Sequence, residues 1–161
     1  MSVVQDMFAT YRGPHKVVAR LLAMGEREDR ALIILMAACG TVFIAQWPRI
    51  AREAHMTGQE LNPMLGGALL GWIFIAPLIF YALAFISQIL LRAFGQKLTG
   101  FSARIALFWA FLASAPLLLL RGLVAGFLGK GMGLSTVDLI WVVIFMWFWI
   151  AGLVQAGRGQ G

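Results

Sequence analysis

Long runs of apolar residues alternate with short polar segments along most of the chain. The four runs cover residues 31–47, 64–91, 103–120 and 137–154. A helix needs about 20 apolar residues to cross the hydrocarbon core of a bilayer. Each run approaches or exceeds this length, and the first run is near the lower limit. The pattern predicts an all-α fold: a polytopic membrane helical bundle of four transmembrane helices. Residues 31–154 would form the membrane domain and residues 155–161 a polar tail.

Prolines and glycines predict where these helices end. Pro48 directly follows Trp47, which suits the membrane interface, and it is expected to stop the first helix. Residues 48–63 would then form a polar connection. Pro77 lies inside the second run and predicts a kink there. The glycine-rich residues 122–136 are expected to connect the third and fourth helices.

The first thirty residues carry a shorter, amphipathic pattern. Apolar residues at helical spacing share one face here, namely Val3, Val4, Met7, Phe8 and Tyr11. Pro14 suits the first turn of a second helix, whose polar face carries Lys16 and Arg20. Basic amphipathic helices of this kind lie in the membrane interface, so residues 1–30 are expected to form a cytoplasmic, interfacial segment. The alternative is that they pack on the protein's own bundle, and the pattern does not separate the two.

The composition excludes a soluble globular domain and argues against nucleic-acid binding. Apolar residues make up 61% of the chain and charged residues 12%, against roughly 45–50% and about 25% in globular chains. A chain of 161 residues has too little interior to bury so much apolar surface. The net charge is +6, but the basic residues flank the apolar runs and do not form a basic face interleaved with aromatic residues. The single cysteine, Cys39, excludes a disulfide framework.

Basic residues are divided unequally between the two sides of the predicted bundle. Nine Lys and Arg residues lie on the side of the termini and of the loop between the second and third helices, and four lie on the other side. Cytoplasmic segments carry such an excess, so both termini are expected in the cytoplasm. This side would contact anionic lipids or a partner, since juxtamembrane basic residues are attracted to the cytoplasmic leaflet. The candidate contact residues are Arg12, Lys16, Arg20, Arg92, Lys97 and Arg104.

No residue pattern predicts catalysis, a cofactor or a metal site. Ionisable residues in the middle of a span would indicate ion transport or a proton relay. The middle of every predicted span lacks them. His15 and His55 fall on opposite sides of the membrane in this topology and have no ligand spacing. The glycine-rich residues 129–133 lack the preceding strand of a phosphate-binding loop. We therefore expect a protein that is not an enzyme, with no catalytic, cofactor-binding or metal-binding residues.

Small residues recur at four-residue spacing in three places along the spans. Helices in lipid associate by close backbone approach at such positions. We expect them to pack helices within the bundle, and contact with a second copy or with another membrane protein is the alternative. The helix-packing candidates are Gly67 and Gly71, then Ala106, Ala110 and Ser114, and finally Gly122 and Gly126.

The segment FGQKLTGFSARIALFWAFLASAP, residues 94–116, resembles the signature of the Yip1 domain family of polytopic membrane proteins. A glycine-containing basic loop leads there into a helix rich in small residues that reaches a proline. The matching positions are Gly95, Lys97, Phe101, Arg104 and Pro116. The resemblance implies an integral membrane protein without known catalytic activity. The segment YRGPHKVV is similar to the start of bacterial members, which implies the bacterial cytoplasmic (inner) membrane. The family commonly has five spans, one more than the four counted here.

The leading functional hypothesis is a non-enzymatic Yip1-like membrane protein that acts in membrane organisation or in docking membrane partners. One alternative is a transporter or channel subunit that works as an oligomer, and another is an accessory subunit of a larger membrane bioenergetic complex. A hydrated central cavity lined by Gln46, Tyr81 or Gln88 would favour transport and count heavily against the leading hypothesis. A dry core with an exposed apolar patch on the fourth span would favour docking.

Overall fold

The computed structural model describes residues 3–24, 28–95, 99–129 and 131–160, and it places helices but no strand among them. The elements are α1 (Val3–Thr10), α2 (Pro14–Ala23), α3 (Glu28–Thr57), α4 (Leu61–Leu70), a π-helical turn (Gly71–Ile75), α5 (Ala76–Ala93), α6 (Gly100–Phe127) and α7 (Met132–Gln160). Four segments are long and apolar enough to cross a membrane: α3, the continuous helix Leu61–Ala93, α6, and Met132–Gly157 within α7. The predicted all-α bundle of an integral membrane protein is therefore confirmed.

Helix α6 lies at the centre of the bundle. In the most apolar stretch of α6, 67% of the residues are buried, against 17% in the corresponding stretch of α7. The largest fully buried side chains are mainly its own, Trp109, Phe108 and Phe111, together with Phe148 of α7. Apolar burial gives little drive between helices in lipid, so these side chains contribute through close van der Waals packing.

The bundle has two ends, which ion pairs and hydrogen bonds identify. At the amino end, Arg104 at the start of α6 forms an ion pair with Glu28 at the start of α3. At the opposite end, called here the far end, Arg52 of α3 donates to the carbonyl oxygen of Phe127 at 3.1 Å. Helices α3 and α6 therefore begin and end together.

Helices α3 and α6 approach each other most closely at two glycines. A Cβ atom placed on Gly122 would lie 2.8 Å from the carbonyl carbon of Ala45, and one placed on Gly126 would lie 2.9 Å from that of Pro48. No side chain fits between the two backbones at these points. The second GxxxG pair is thus used inside the chain, between α6 and α3.

The expectation that Pro48 stops the first helix is wrong. Helix α3 continues through Pro48 to Thr57, and Gly58 follows with a φ of +72°, a conformation typical of the residue after a helix. Proline removes one backbone hydrogen bond from a helix. That loss is tolerated here because the proline packs against Gly126 and because Ile50, two residues later, is buried. The polar connection is therefore much shorter than residues 48–63.

The expected connection over residues 122–136 is likewise too long. Helix α6 continues to Phe127, and α7 already begins at Met132. Glycine lowers helix propensity by about 1 kcal/mol relative to alanine. The glycines of residues 122–136 therefore predicted a loop when the sequence was considered alone. The close contact of α6 with α3 outweighs it.

A π-helical turn precedes Pro77 in the long second spanning helix. The turn covers Gly71–Ile75 and leads directly into α5. A proline ring crowds the carbonyl group four residues earlier, here that of Ile73, and has no N–H to bond it. A local shift to the wider π pattern accommodates the proline without ending the helix. The irregularity thus lies where Pro77 predicted one.

Helices α1 and α2 form a hairpin that packs on the bundle, against α6 and α7. Thr10 accepts a hydrogen bond from the indole N–H of Trp109 at 2.9 Å, and the Tyr11 hydroxyl donates to the carbonyl oxygen of Ala113 at 2.7 Å. Burial raises the pKa of Tyr11. Of the two alternatives for residues 1–30, the structure shows packing on the bundle.

The hairpin also contains a charged pair. Asp6 is buried and forms an ion pair with Arg20. Arg12 and Lys16 are exposed on its outer side. The basic face predicted for this segment therefore points away from the bundle, apart from Arg20.

Candidate functional site

A cavity of about 980 Å³ opens between the far-end halves of the spanning helices. Helices α3, α6 and α7 line it together with the π-helical turn and α5. Ligand pockets in proteins have volumes of roughly 300–1,000 Å³, so this one is at the upper end of that range. We take it as the candidate functional site.

The face of α3 that lines the cavity changes from apolar to charged along the helix. Val42, Gln46, Arg49, Glu53 and Met56 line it in that order. Their spacing of three or four residues places them on one side of a helix. The lining residues of α6 follow the same order, from an apolar deep end to a charged residue near the mouth. Each helix thus gives the cavity an apolar inner half and a polar outer half.

Aromatic side chains form the deep half of the cavity. Phe80 of α5 stacks on Phe111 of α6 with ring centroids 4.3 Å apart. Trp72 of the π-helical turn and Trp141 of α7 complete this wall, and the Trp141 N–H donates to the hydroxyl of Ser114 at 3.1 Å. Trp141 therefore presents its apolar ring to the cavity while its one polar atom is bonded.

Charged side chains form the rim at the far end. Arg49 donates to Gln46 and to Glu53, each at 3.0 Å. Arg121 forms an ion pair with Asp138, which joins α6 to α7.

Arg52 completes the rim by donating to the last carbonyl groups of α6. It bonds Gly126 at 3.4 Å and Phe127 at 3.1 Å. The lining contains Arg49, Arg52 and Arg121 but only two carboxylates. The charge of the lining is therefore +1.

The cavity extends about 15 Å along α3. Val42 is the deepest lining residue of α3, and Arg52 at the rim lies ten residues further on. Ten residues of helix correspond to about 15 Å, which is half of a hydrocarbon core about 30 Å thick. The cavity thus has the depth of one bilayer leaflet.

Beyond Phe111 the interior is filled. Phe108, Trp109 and Phe148 are at most 2% exposed and occupy the centre of the amino-end half. The cavity ends at this aromatic layer, so among the described residues it opens toward the far end and not toward the amino end.

The structure separates the small-residue candidates into two groups. Ala106, Ala110 and Ser114 are buried on α6, and Gly122 and Gly126 lie against α3. Gly67 and Gly71 behave differently, because a Cβ placed on either would meet nothing within 4 Å. The first five pack helices within this chain, and the last two face open space.

The basic candidates do not form one site. Arg12, Lys16 and Arg20 line a pocket of about 260 Å³ on the hairpin, although Arg20 is bound to Asp6. Arg104 is bound to Glu28. The other two have no place in that pocket: Arg92 is exposed at the end of α5 and Lys97 lies outside the described residues.

The charged rim was missed by sequence reasoning, which treated its residues as charges that flank helices. Arg49 and Glu53 are four residues apart, and Gln46 lies one turn earlier. That spacing signals a polar helical face if the helix is known to continue through Pro48. The pairing of Arg121 with Asp138 had no such signal, because it joins two different helices.

Of the three residues whose presence in a cavity lining would favour transport, one lies in the lining of this cavity. Gln46 lines the cavity, whereas Tyr81 and Gln88 do not. Tyr81 instead contacts the ring of Phe108 edge to face, with centroids 5.0 Å apart. The expected sign of transport is therefore present in part.

Among the described residues, no group of three or more His, Cys, Asp and Glu side chains is arranged to hold a metal ion. No protein-family model matches the chain, and no curated protein or solved structure matches it either. The resemblance to the Yip1 domain family stays a prediction.

Proposed function

We propose that the protein is a non-enzymatic membrane protein that organises the bilayer around it by holding an amphipathic guest between its helices. The single observation that carries this proposal is the cavity, which combines an aromatic inner half with a charged rim. Ligand sites are mostly apolar with a few polar groups that fix the orientation of the ligand, and this cavity has that composition.

The position of the cavity restricts the kind of guest. Its deep half offers Phe80, Phe111 and Trp141, whose exposed surfaces are rings. A polar guest would lose its hydrogen bonds to water there without replacement, which is costly. Its rim offers guanidinium and carboxylate groups, which an entirely apolar guest could not use. A molecule with an apolar tail and a polar head fits both halves.

This role agrees with the membrane organisation that the Yip1-like segment implies. We also retain the proposed orientation, with both termini in the cytoplasm of a bacterium and the chain in the inner membrane, because the excess of Lys and Arg lies on that side. The far end, and with it the cavity, would then face the outer leaflet.

Photocrosslinking with a lipid probe tests the proposal. The purified protein in nanodiscs receives a phospholipid with a photoreactive group at the end of one acyl chain, and adducts are located by mass spectrometry. We expect adducts on Phe111 and Leu118, which line the cavity and are at most 9% exposed. Leu78 is 71% exposed and serves as the control for ordinary bilayer contact. Adducts on Leu78 alone would contradict the proposal.

A transporter subunit is the second candidate, because Gln46 lines the cavity as that function required. Passage through a single chain would have to displace the buried aromatic layer of Phe108, Trp109 and Phe148. Reconstituted vesicles can be tested for protein-dependent movement of a fluorescent lipid between leaflets. Movement that Trp109→Ala increases would support transport, and no movement with either protein would count against it.

A further inference from the structure

We infer that the guest is a phospholipid from the leaflet at the far end, with its phosphate bound by Arg52 and an acyl chain extended along the cavity to Phe111. The inference rests on the proposed function and deepens it, since it assigns the head group, the leaflet and the residue that binds the phosphate.

The charge balance of the rim identifies Arg52 as the anion-binding residue. Arg49 is bonded to Glu53, and Arg121 to Asp138. Within the described residues Arg52 has no carboxylate partner and bonds only carbonyl oxygens. It therefore supplies the uncompensated positive charge of the lining, and a head group of charge −1 would neutralise it.

Arg52 also keeps hydrogen-bond donors for a ligand. Both of its bonds to α6 use the Nη1 atom. A guanidinium has five N–H donors, so those on Nε and Nη2 have no partner among the described residues. Two adjacent donors of this kind match the oxygens of a phosphate in a bidentate arrangement. The bonds through Nη1 hold the group in place before the ligand arrives.

Gly129 lies beside this guanidinium and adds no side chain to it. A Cβ placed on Gly129 would lie 3.0 Å from Nη2 and 3.2 Å from Nε, the two nitrogens with free donors. The glycine has a φ of +75°, which L side chains rarely adopt. Gly129 therefore places no side chain over the atoms that would bind the phosphate.

The depth of the cavity fits a lipid that remains in its own leaflet. Arg52 and Val42 are separated by about 15 Å along α3, which equals the hydrocarbon thickness of one leaflet. A phosphate at Arg52 would lie at the boundary between hydrocarbon and head groups, and its acyl chain would end beside Phe111. The lipid can thus bind without being lifted out of the bilayer.

Native mass spectrometry of the purified protein tests the inference with two probes of equal acyl chains. One probe is phosphatidylglycerol, of charge −1, and the other is diacylglycerol, which lacks the phosphate. We expect one phosphatidylglycerol per chain and a preference over diacylglycerol of at least tenfold. Arg52→Gln should reduce this preference to about one, and Arg52→Lys should retain part of it.

Arg49→Gln combined with Glu53→Gln is the matched control, since it removes a rim ion pair and leaves the charge of the lining at +1. We expect its preference for phosphatidylglycerol to fall less than threefold. Thermal unfolding of each variant shows whether the loss of the Arg52 bonds to α6 has disturbed the bundle, and Arg52→Lys supplies the comparison if Arg52→Gln unfolds. Equal losses for the paired Arg49 and Glu53 variant and for Arg52→Gln would overturn the assignment of Arg52.

Failure of the inference and failure of the proposed function give different results. Leu118→Trp should fill the cavity and abolish binding of both probes, because Leu118 lies on its lining. If diacylglycerol binds as tightly as phosphatidylglycerol and Leu118→Trp abolishes both, the phosphate assignment is wrong and the amphipathic cavity stands. If Leu118→Trp changes the binding of neither probe, both proposals are wrong.

Discussion

The close approach of α3 and α6 at Gly122 leads to a quantitative prediction for Gly122→Ala. The new Cβ would lie 2.8 Å from the carbonyl carbon of Ala45 and closer still to its oxygen, whereas ordinary contact begins at 3.4 Å. The carbon contact alone would require the helices to separate by about 0.6 Å along their interface, and the closer oxygen requires more. Overpacking of this kind costs about 1–3 kcal/mol, and the upper end applies because the obstacle is backbone. Alanine recovers up to about 1 kcal/mol of helix propensity, so the net loss is about 2 kcal/mol.

Gly67→Ala is the matched control, since Gly67 is also the first glycine of a GxxxG pair in a spanning helix. A Cβ there meets nothing within 4 Å, so only the gain in propensity remains, up to about 1 kcal/mol. Unfolding in mixed micelles, followed by circular dichroism, measures both free energies. The two variants should differ by about 3 kcal/mol. A difference below about 0.5 kcal/mol would show that the close approach at Gly122 does not stabilise the bundle.

Three further predictions concern the amino end. Replacing Lys97 and Arg104 together by Gln should leave the orientation of the protein unchanged in a protease-protection assay, because basic residues of the amino-terminal segment still dominate; an inverted protein would contradict this. Thr10→Val should lower the free energy of unfolding by about 1–3 kcal/mol, because the buried Trp109 N–H loses its acceptor; an unchanged value would show that another group replaces it. Since burial raises the pKa of Tyr11, its folded state favours the neutral phenol. The corresponding stability is complete below pH about 10 and is lost as the pH rises through the folded pKa, a decline that Tyr11→Phe should reduce in unfolding measurements.

Much of the fold could be predicted from local patterns, because each spanning helix is formed by one continuous run of apolar residues. The four apolar runs located all four spanning helices, and Pro77 marked the place of the π-helical turn. The ends of the helices were predicted less well. Pro48 and the glycines of residues 122–136 have low helix propensity, and propensity was the only available criterion. The contact between Pro48 and Gly126 that keeps both helices intact joins residues 78 positions apart in the chain.

The candidate site was less accessible to sequence reasoning than the fold. The pattern on α3 from Val42 to Met56 lies in the sequence, but it belongs to a lining only because α6 and α7 face it. Gln46 was one of three residues whose presence in a cavity lining would favour transport, and it lies in the lining. Nothing local showed that Arg52 would bond the end of α6 while Arg49 and Arg121 would be neutralised.

The sequence by itself determined that this chain is a membrane protein with four spanning helices, because hydrophobic length acts on each segment separately. Only the tertiary structure decided that α1 and α2 pack on the bundle, that one GxxxG pair is used internally while the other faces open space, and that a leaflet-deep cavity opens at the far end. These features depend on which helix faces meet. Nearly every face of these helices is apolar, so hydrophobicity does not determine which faces meet in lipid. Close packing and hydrogen bonds between residues distant in the sequence determine it.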